Sequence, residues 1–243
     1  MYLSPSSSLQ AGVRWLLCSV ACLIVYANLA APVQAGVIGF PAPRLEPWHF
    51  RFGILGDSFK TDLKNGADAE ATSGRALVRI ALGLTAWSEI FAQIGVAEFN
   101  LDEAVFSGDF GLAYGGGVRF RLWRFPYGQV GLTAQYLRFT SDGDSVGDPA
   151  DGEWEEFDVA LGVGTKPFGA FQFYGGVAYH ENEVTLQLPN SRIELDADIP
   201  ARIFLGLHIY PLRDFPGGEV VVNFEARLVG ETPQFTMGLQ YQF

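Results

Sequence analysis

Few residues in this 243-residue chain have the type and spacing to do chemistry. His180 and Asp198 flank a turn signal at Pro189-Asn190-Ser191. A hairpin centred there brings the two face to face, and a carboxylate that orients an imidazole makes it a general base toward water. A second candidate is the stretch 142–153, where Asp142, Asp144, Asp148 and Glu153 occupy positions 1, 3, 7 and 12 with Gly147 at position 6. That spacing partly matches a calcium loop, although Val146 stands where a ligand is needed and no helices flank it. A solvated acidic loop is the plainer reading, with weak binding of divalent cations as its alternative.

The third group is a set of charged residues spaced by two within otherwise apolar stretches: Arg51, Arg79, Arg119, Arg121, Asp158, Arg202, Glu225 and Arg227, with Glu156 in the same phase as Asp158. On one face of a closed sheet they make either a charged pore or an internal ion-pair plug. The plug is favoured, because small barrels are filled by their own side chains. A phosphate-cradling glycine loop, a serine nucleophile elbow and a His/Cys metal cluster are all missing from the sequence. No catalytic role and no cofactor is therefore expected.

Positioning these residues falls to ten alternating segments between Trp48 and Phe243. Residues 193–209 carry an apolar side chain at every odd number, a pattern that no helix can turn to one side. Long polar connections (61–74, 101–109, 140–153) alternate with tight ones (85–88, 124–126, 167–169). The segments run about 10 residues or more, enough for a tilted strand to cross a bilayer. The tight-turn side collects Trp48, Trp87, Trp123, Phe125, Tyr127, Phe168, Tyr210, Phe215, Tyr241 and Phe243, the composition of an interfacial belt. The expected fold is all-β: a transmembrane antiparallel up-and-down barrel of ten strands, with eight or twelve as alternatives. A change of phase near Asn182 reads as a β-bulge.

Two ends of the chain refine this. Arg14, an apolar stretch to about Ala27, and Val33-Gln34-Ala35 describe a secretory signal peptide over 1–35. Residues 36–47 follow as a short periplasmic lead, and the barrel occupies 48–243. Both cysteines, Cys18 and Cys22, fall in the leader, so the mature chain carries no thiol. Net charge is −11, and −12 once the leader and its single charge Arg14 are gone; such a chain repels nucleic acid.

The last strand, Gln234 to Phe243, alternates strictly and ends on an aromatic residue. Leu239, Tyr241 and Phe243 in phase at the terminus resemble the assembly signal of Gram-negative outer-membrane β-barrel proteins. That resemblance implies outer-membrane lipid, an insertion machinery and periplasmic chaperones as partners. Ten strands with a His/Asp pair near the outer rim are also similar to the omptin family of outer-membrane proteases. The resemblance covers architecture only, since the family's facing acidic pair has no counterpart here. The His-x-Ser motif of lipid A deacylases is absent at all three histidines. The expected role is structural or passive, as a filled barrel or narrow pore. A hydrolase using His180 with Asp198, and a surface interaction protein acting through 61–74 and 140–153, are the competing classes.

Overall fold

A computed structural model of the chain describes residues 39–64, 68–101, 106–145, 148–189, 191–197, 201–215, 218–229 and 232–243. The leader 1–35, residues 36–38 of the lead and Asp198 lie outside the described residues. Twelve strand segments follow one another: β1 (Phe50–Lys64), β2 (Asp68–Thr85), β3 (Ser88–Leu101), β4 (Phe106–Gly108), β5 (Gly111–Phe125), β6 (Gly128–Ser145), β7 (Asp148–Thr165), β8 (Phe171–Leu188), β9 (Ser191–Ala197), β10 (Ala201–Phe215), β11 (Gly218–Val229) and β12 (Thr232–Gln242). No helix occurs among the described residues.

All pairings are antiparallel between neighbours, and β12 pairs with both β11 and β1, which closes the sheet. Closure matters because an open edge would leave a row of backbone donors and acceptors without partners. Two pairs of segments are successive parts of one stave. β4 and β5 both lie between β3 and β6. β9 and β10 both run along β8. The barrel therefore has ten staves, the number that the alternating segments predict.

The outward face inverts the rule for soluble proteins. Ile54, Ile80, Ile94, Leu112, Leu161, Phe173, Val177 and Leu205 are all about half exposed, and an apolar surface that continuous needs lipid against it. On β8 the outward apolar run reaches from Phe171 to Tyr179. At about 3.3 Å per residue and a barrel tilt this covers roughly 20 Å, close to the height of the lipid-facing band in outer-membrane barrels. Exposed Trp48, Trp87, Trp123, Tyr127 and Phe168 ring the tight-turn end. Tyr210, assigned to the same belt from sequence, instead points inward and is buried.

Above the band the two faces exchange character at one height. Outward positions become acidic: Glu155 and Glu153 on β7, Glu181 and Glu183 on β8. Inward positions change from charged to apolar: Asp158 and Glu156 give way to Trp154, and His180 and Asn182 to Val184 and Leu186. This exchange corrects the bulge expected at Asn182. β8 pairs with β7 in unbroken register through that position. Val184 and Leu186 keep the inward phase of His180 and do not switch to lipid. The irregularity sits on the opposite side of β8. Tyr179 faces Ala201, whereas Glu183 faces Asp196, so β9–β10 carries one more residue than β8 over that interval. The apparent unbroken alternation 193–209 is thus two phases: Leu195 points inward, while Ile203 and Leu205 point outward.

The described part of the lead packs into the barrel: residues 39–45 run up inside it, with Phe40, Ala42 and Leu45 buried, and Glu46 and Pro47 are exposed. At Trp48 the chain reverses at the rim with φ of 67° and donates its N–H to the Gly83 carbonyl at 2.7 Å. Gly131 makes room for this entry: a Cβ there would lie 2.4 Å from the Pro41 carbonyl oxygen and 2.6 Å from Ala42. Gly131→Leu should therefore expel the lead while leaving the strand ladder intact. Limited trypsinolysis of the folded barrel should cut at Arg44 in that variant and spare it in the parent. Equal protection in both would show that the lead is not seated against Gly131.

Candidate functional site

The interior is filled in three layers. At the tight-turn end the lead is the filler. Phe40 packs edge-on to Tyr174 (centroids 5.6 Å apart) and lies 5.6 Å from the His208 ring. Arg44 bonds to His208 Nδ1 at 3.0 Å, pairs with Glu219 at 3.5 Å and sits 4.9 Å over the Tyr210 ring. The Gly39 N–H donates to Glu225 at 2.8 Å, and Arg121, half-buried, donates to the Pro43 carbonyl at 3.0 Å.

The middle layer is ionic. Glu89 is wholly buried and accepts from Arg51 and, at 2.8 Å, from Arg119. Arg79 donates to Gln93 at 2.8 Å, and Arg79 and Arg119 stack on the Phe91 ring at 4.5 and 4.7 Å. Arg75 bridges Asp57 (2.8 Å) and Glu156 (2.6 Å). Arg227 reaches Glu225 at 3.2 Å and Asp158 at 3.8 Å. Tyr174 donates to Asn223 and Glu225. A buried charge is tolerable only when paired and hydrogen-bonded, and alternation delivers the partners: Arg51 and Asp57, or Asp158 and Glu156, fall on one face because they are an even number of residues apart.

The third layer is apolar and occupies the hairpin end. Phe99, Phe106, Phe139 and Trp154 are buried to the last per cent or two and meet ring to ring, with centroids between 4.9 and 6.0 Å. Leu63, Ala71, Leu101, Val184, Leu186 and Leu195 complete this core. Beneath it, between Asp57, Leu77, Gln93 and Glu156, lies a cavity of about 10 Å³, room for about one water.

All eight charged residues expected in the lumen are there: Arg51, Arg79, Arg119, Asp158, Arg202, Glu225 and Arg227 buried, Arg121 partly so. Asp57, Arg75 and Glu89 were not among the expected lumen charges, although Asp57 shares the phase of Arg51 on β1, Arg75 that of Arg79 on β2, and Glu89 that of inward Gln93 on β3. Sequence reasoning also missed Arg44 and His208, whose roles depend on the lead being inside.

Among the described residues the partner of His180 is Asp158, and the expected partner Asp198 lies outside them. His180 Nδ1 bonds to Asp158 Oδ1 at 2.8 Å, directly across the β7–β8 ladder. The pair is buried at the middle layer, beneath the aromatic core and away from any rim. Glu156, Asp158 and His180 place three potential metal-ligand atoms within 4.8 Å of one another. Arg75 already holds Glu156, and Gln135 holds Asp158 at 2.8 Å, so the donors are committed to guanidinium and amide partners.

The calcium-loop candidate fails on geometry. Asp142 and Asp144 are on β6 and Asp148 and Glu153 on β7, in a continuous ladder that pairs Asp142 with Asp151 and Ser145 with Asp148. Alternation puts Asp148 on the opposite face from Asp142, Asp144 and Glu153, and Glu153 is ion-paired with Arg138. The four carboxylates share no centre.

No protein-family model and no curated protein matches the chain. Solved structures similar to it include the outer membrane protease OmpT from Escherichia coli (12 % identity, 81 % of this chain and 97 % of that one, TM-score 0.45). The translocator domain of autotransporter NalP from Neisseria meningitidis is also similar (11 % identity, 97 % of each chain, TM-score 0.48). A third is an outer membrane channel from Pseudomonas putida F1 (11 % identity, 86 % of this chain and 99 % of that one, TM-score 0.44). These likenesses are of fold alone.

Glu89→Gln should strip the shared counter-charge from two buried arginines and cost about 3–5 kcal/mol in urea unfolding of the detergent-refolded protein. Glu194→Gln, at an exposed ion pair with Arg192, should change stability by only about 0.5 kcal/mol. Equal effects would contradict a structural ionic layer.

Proposed function

We propose that this protein is a filled outer-membrane β-barrel with a structural or passive role, presenting acidic hairpins outside the cell and holding no open pore. The observation that carries the reading is the exchange of polarity at the height of Glu156 and Asn182. An apolar-outside, charged-inside stave suits lipid, and an acidic-outside, apolar-inside stave suits water, so the exchange marks the membrane boundary. It leaves the hairpin end as a water-exposed extension with its own packed core, through which hydrated ions would have to pass.

The tight-turn end, with its exposed Trp and Tyr ring, is then the periplasmic side, and the hairpins face outward. Leu239 and Tyr241 lie on β12, and the Phe243 N–H donates to the Phe50 carbonyl at 3.2 Å across the seam. In this reading the terminal residues that resemble an assembly signal also make the contacts that close the barrel. His180 and Asp158 belong to the ionic filling, where no substrate reaches them. Outer-membrane lipid, the insertion machinery and periplasmic chaperones are the proposed partners.

The test is permeability in a Gram-negative host. Cells expressing the folded protein should take up small hydrophilic solutes at the rate of cells carrying an empty vector. Cells expressing the triple variant Phe99→Ala, Phe139→Ala, Trp154→Ala, whose upper core is emptied, should differ from both. A parent protein that by itself raises uptake severalfold would overturn the filled reading.

A further inference from the structure

The lumen's charges do not balance. Among the described residues six arginines are buried (Arg51, Arg75, Arg79, Arg119, Arg202, Arg227) against five carboxylates (Asp57, Glu89, Glu156, Asp158, Glu225). The half-buried pair Arg44 and Glu219 cancels, and half-buried Arg121 adds to the arginines, so positive charge is in excess among the described residues. Arg51 and Arg119 share Glu89, Arg75 is held by Asp57 and Glu156, Arg227 by Glu225 and Asp158, and Arg79 donates to Gln93 and stacks on Phe91. Arg202 is 3 % exposed and among the described residues makes no ion pair, and its Nε and Nη2 have no hydrogen-bond partner there. Next to it, Nη1 and Nη2 of Arg227 are likewise without hydrogen-bond partners.

The register makes the two arginines neighbours. Arg227 lies directly across from Phe204 on the β10–β11 ladder, so Arg202, two residues on, is its diagonal neighbour on the same inward face. Diagonal neighbours are about 7–8 Å apart at the backbone, within reach for long side chains. Across β8, Arg202 faces Ala178, a side chain too small to supply a partner, with buried His180 beside it. Two guanidiniums side by side repel unless something negative lies between them, and each buried donor left without a partner costs on its own account.

We infer that the barrel holds one small monovalent anion, of halide size, clamped between the guanidiniums of Arg202 and Arg227. A negative charge between the two arginines lowers the excess where it is least compensated. It also accepts from donors on both arginines, the strong charge-assisted kind of hydrogen bond. Burial favours a small ion: Phe204, His180, Asp158 and Glu225, all close to the two arginines in register or by ion pair, are themselves buried, and the carboxylates disfavour a multivalent anion. The anion is a structural counter-ion locked in during folding, and the inference stands whether or not the barrel conducts.

The experiment is thermal unfolding of the detergent-refolded mature protein, followed by heat-modifiable gel migration. Sodium chloride is exchanged for sodium gluconate, whose anion is too large to enter, at constant ionic strength. The midpoint should rise by about 3–5 °C per tenfold increase in chloride, and Arg202→Met should lie on a flat line. A parent midpoint indifferent to chloride overturns the proposal, and this result needs no variant to fold. Asp198→Asn tests the counter-ion that the chain itself could supply. If Asp198→Asn lowers the midpoint and the parent ignores chloride, the partner of Arg202 is that carboxylate. Crystals grown in sodium bromide should show an anomalous peak between the two guanidiniums, and a featureless map there also counts against the anion.

Discussion

Pairing of β1 with β12 is the constraint on which everything else depends. Seven residue pairs from Arg51–Gln242 to Asp57–Thr236 close the sheet. With every stave paired on both sides, the outside is free to be apolar. Closure also creates an interior of fixed width that must be filled or flooded. In this chain it is filled, and each filling material suits its level. The lead enters from the tight-turn end, ion pairs occupy the level of the apolar band, and aromatic side chains occupy the extension beyond it.

The ionic layer is the costly part, since charges taken out of water need several kcal/mol of compensation each. Compensation here is shared: Glu89 serves two arginines, Arg75 two carboxylates, and Glu225 accepts from Arg227, Tyr174 and the Gly39 N–H together. That last contact ties the lead to the network. The lead and the charged layer therefore depend on each other, and the aromatic core above needs neither. A barrel built this way has mechanical unity without a path through it.

Much of this was legible in the sequence because strands alternate. The period of two assigned the outward residues on nearly every stave and put all eight named charges inside. What it could not give was the meaning of the phase. Apolar at an even position on β8 means inward at Val184, whereas on β1–β3 the outward apolar residues Ile54, Ile80 and Ile94 are even as well. The pattern holds no marker for the height at which lipid ends. The one-residue excess between Asp196 and Ala201 was invisible for the same reason, and a search for partners of His180 confined to its own hairpin passed over Asp158, which lies directly across the other ladder. The lead shows no periodicity, so nothing in Phe40, Ala42 or Leu45 announces that they are buried; Gly83, Gly131, Gly162 and Gly164, packed against the lead, are a trace of the space it takes.

The central claim is that the barrel is closed to ions by its own side chains. Single-channel recording of the refolded mature protein in a planar lipid bilayer addresses it most directly, with insertion verified by heat-modifiable migration of the same sample. A current trace without steps at moderate voltage is the predicted result. Discrete, reproducible steps whose ion selectivity changes when Arg79 or Arg202 is replaced would contradict it, and would make the arginine rows the lining of a pore.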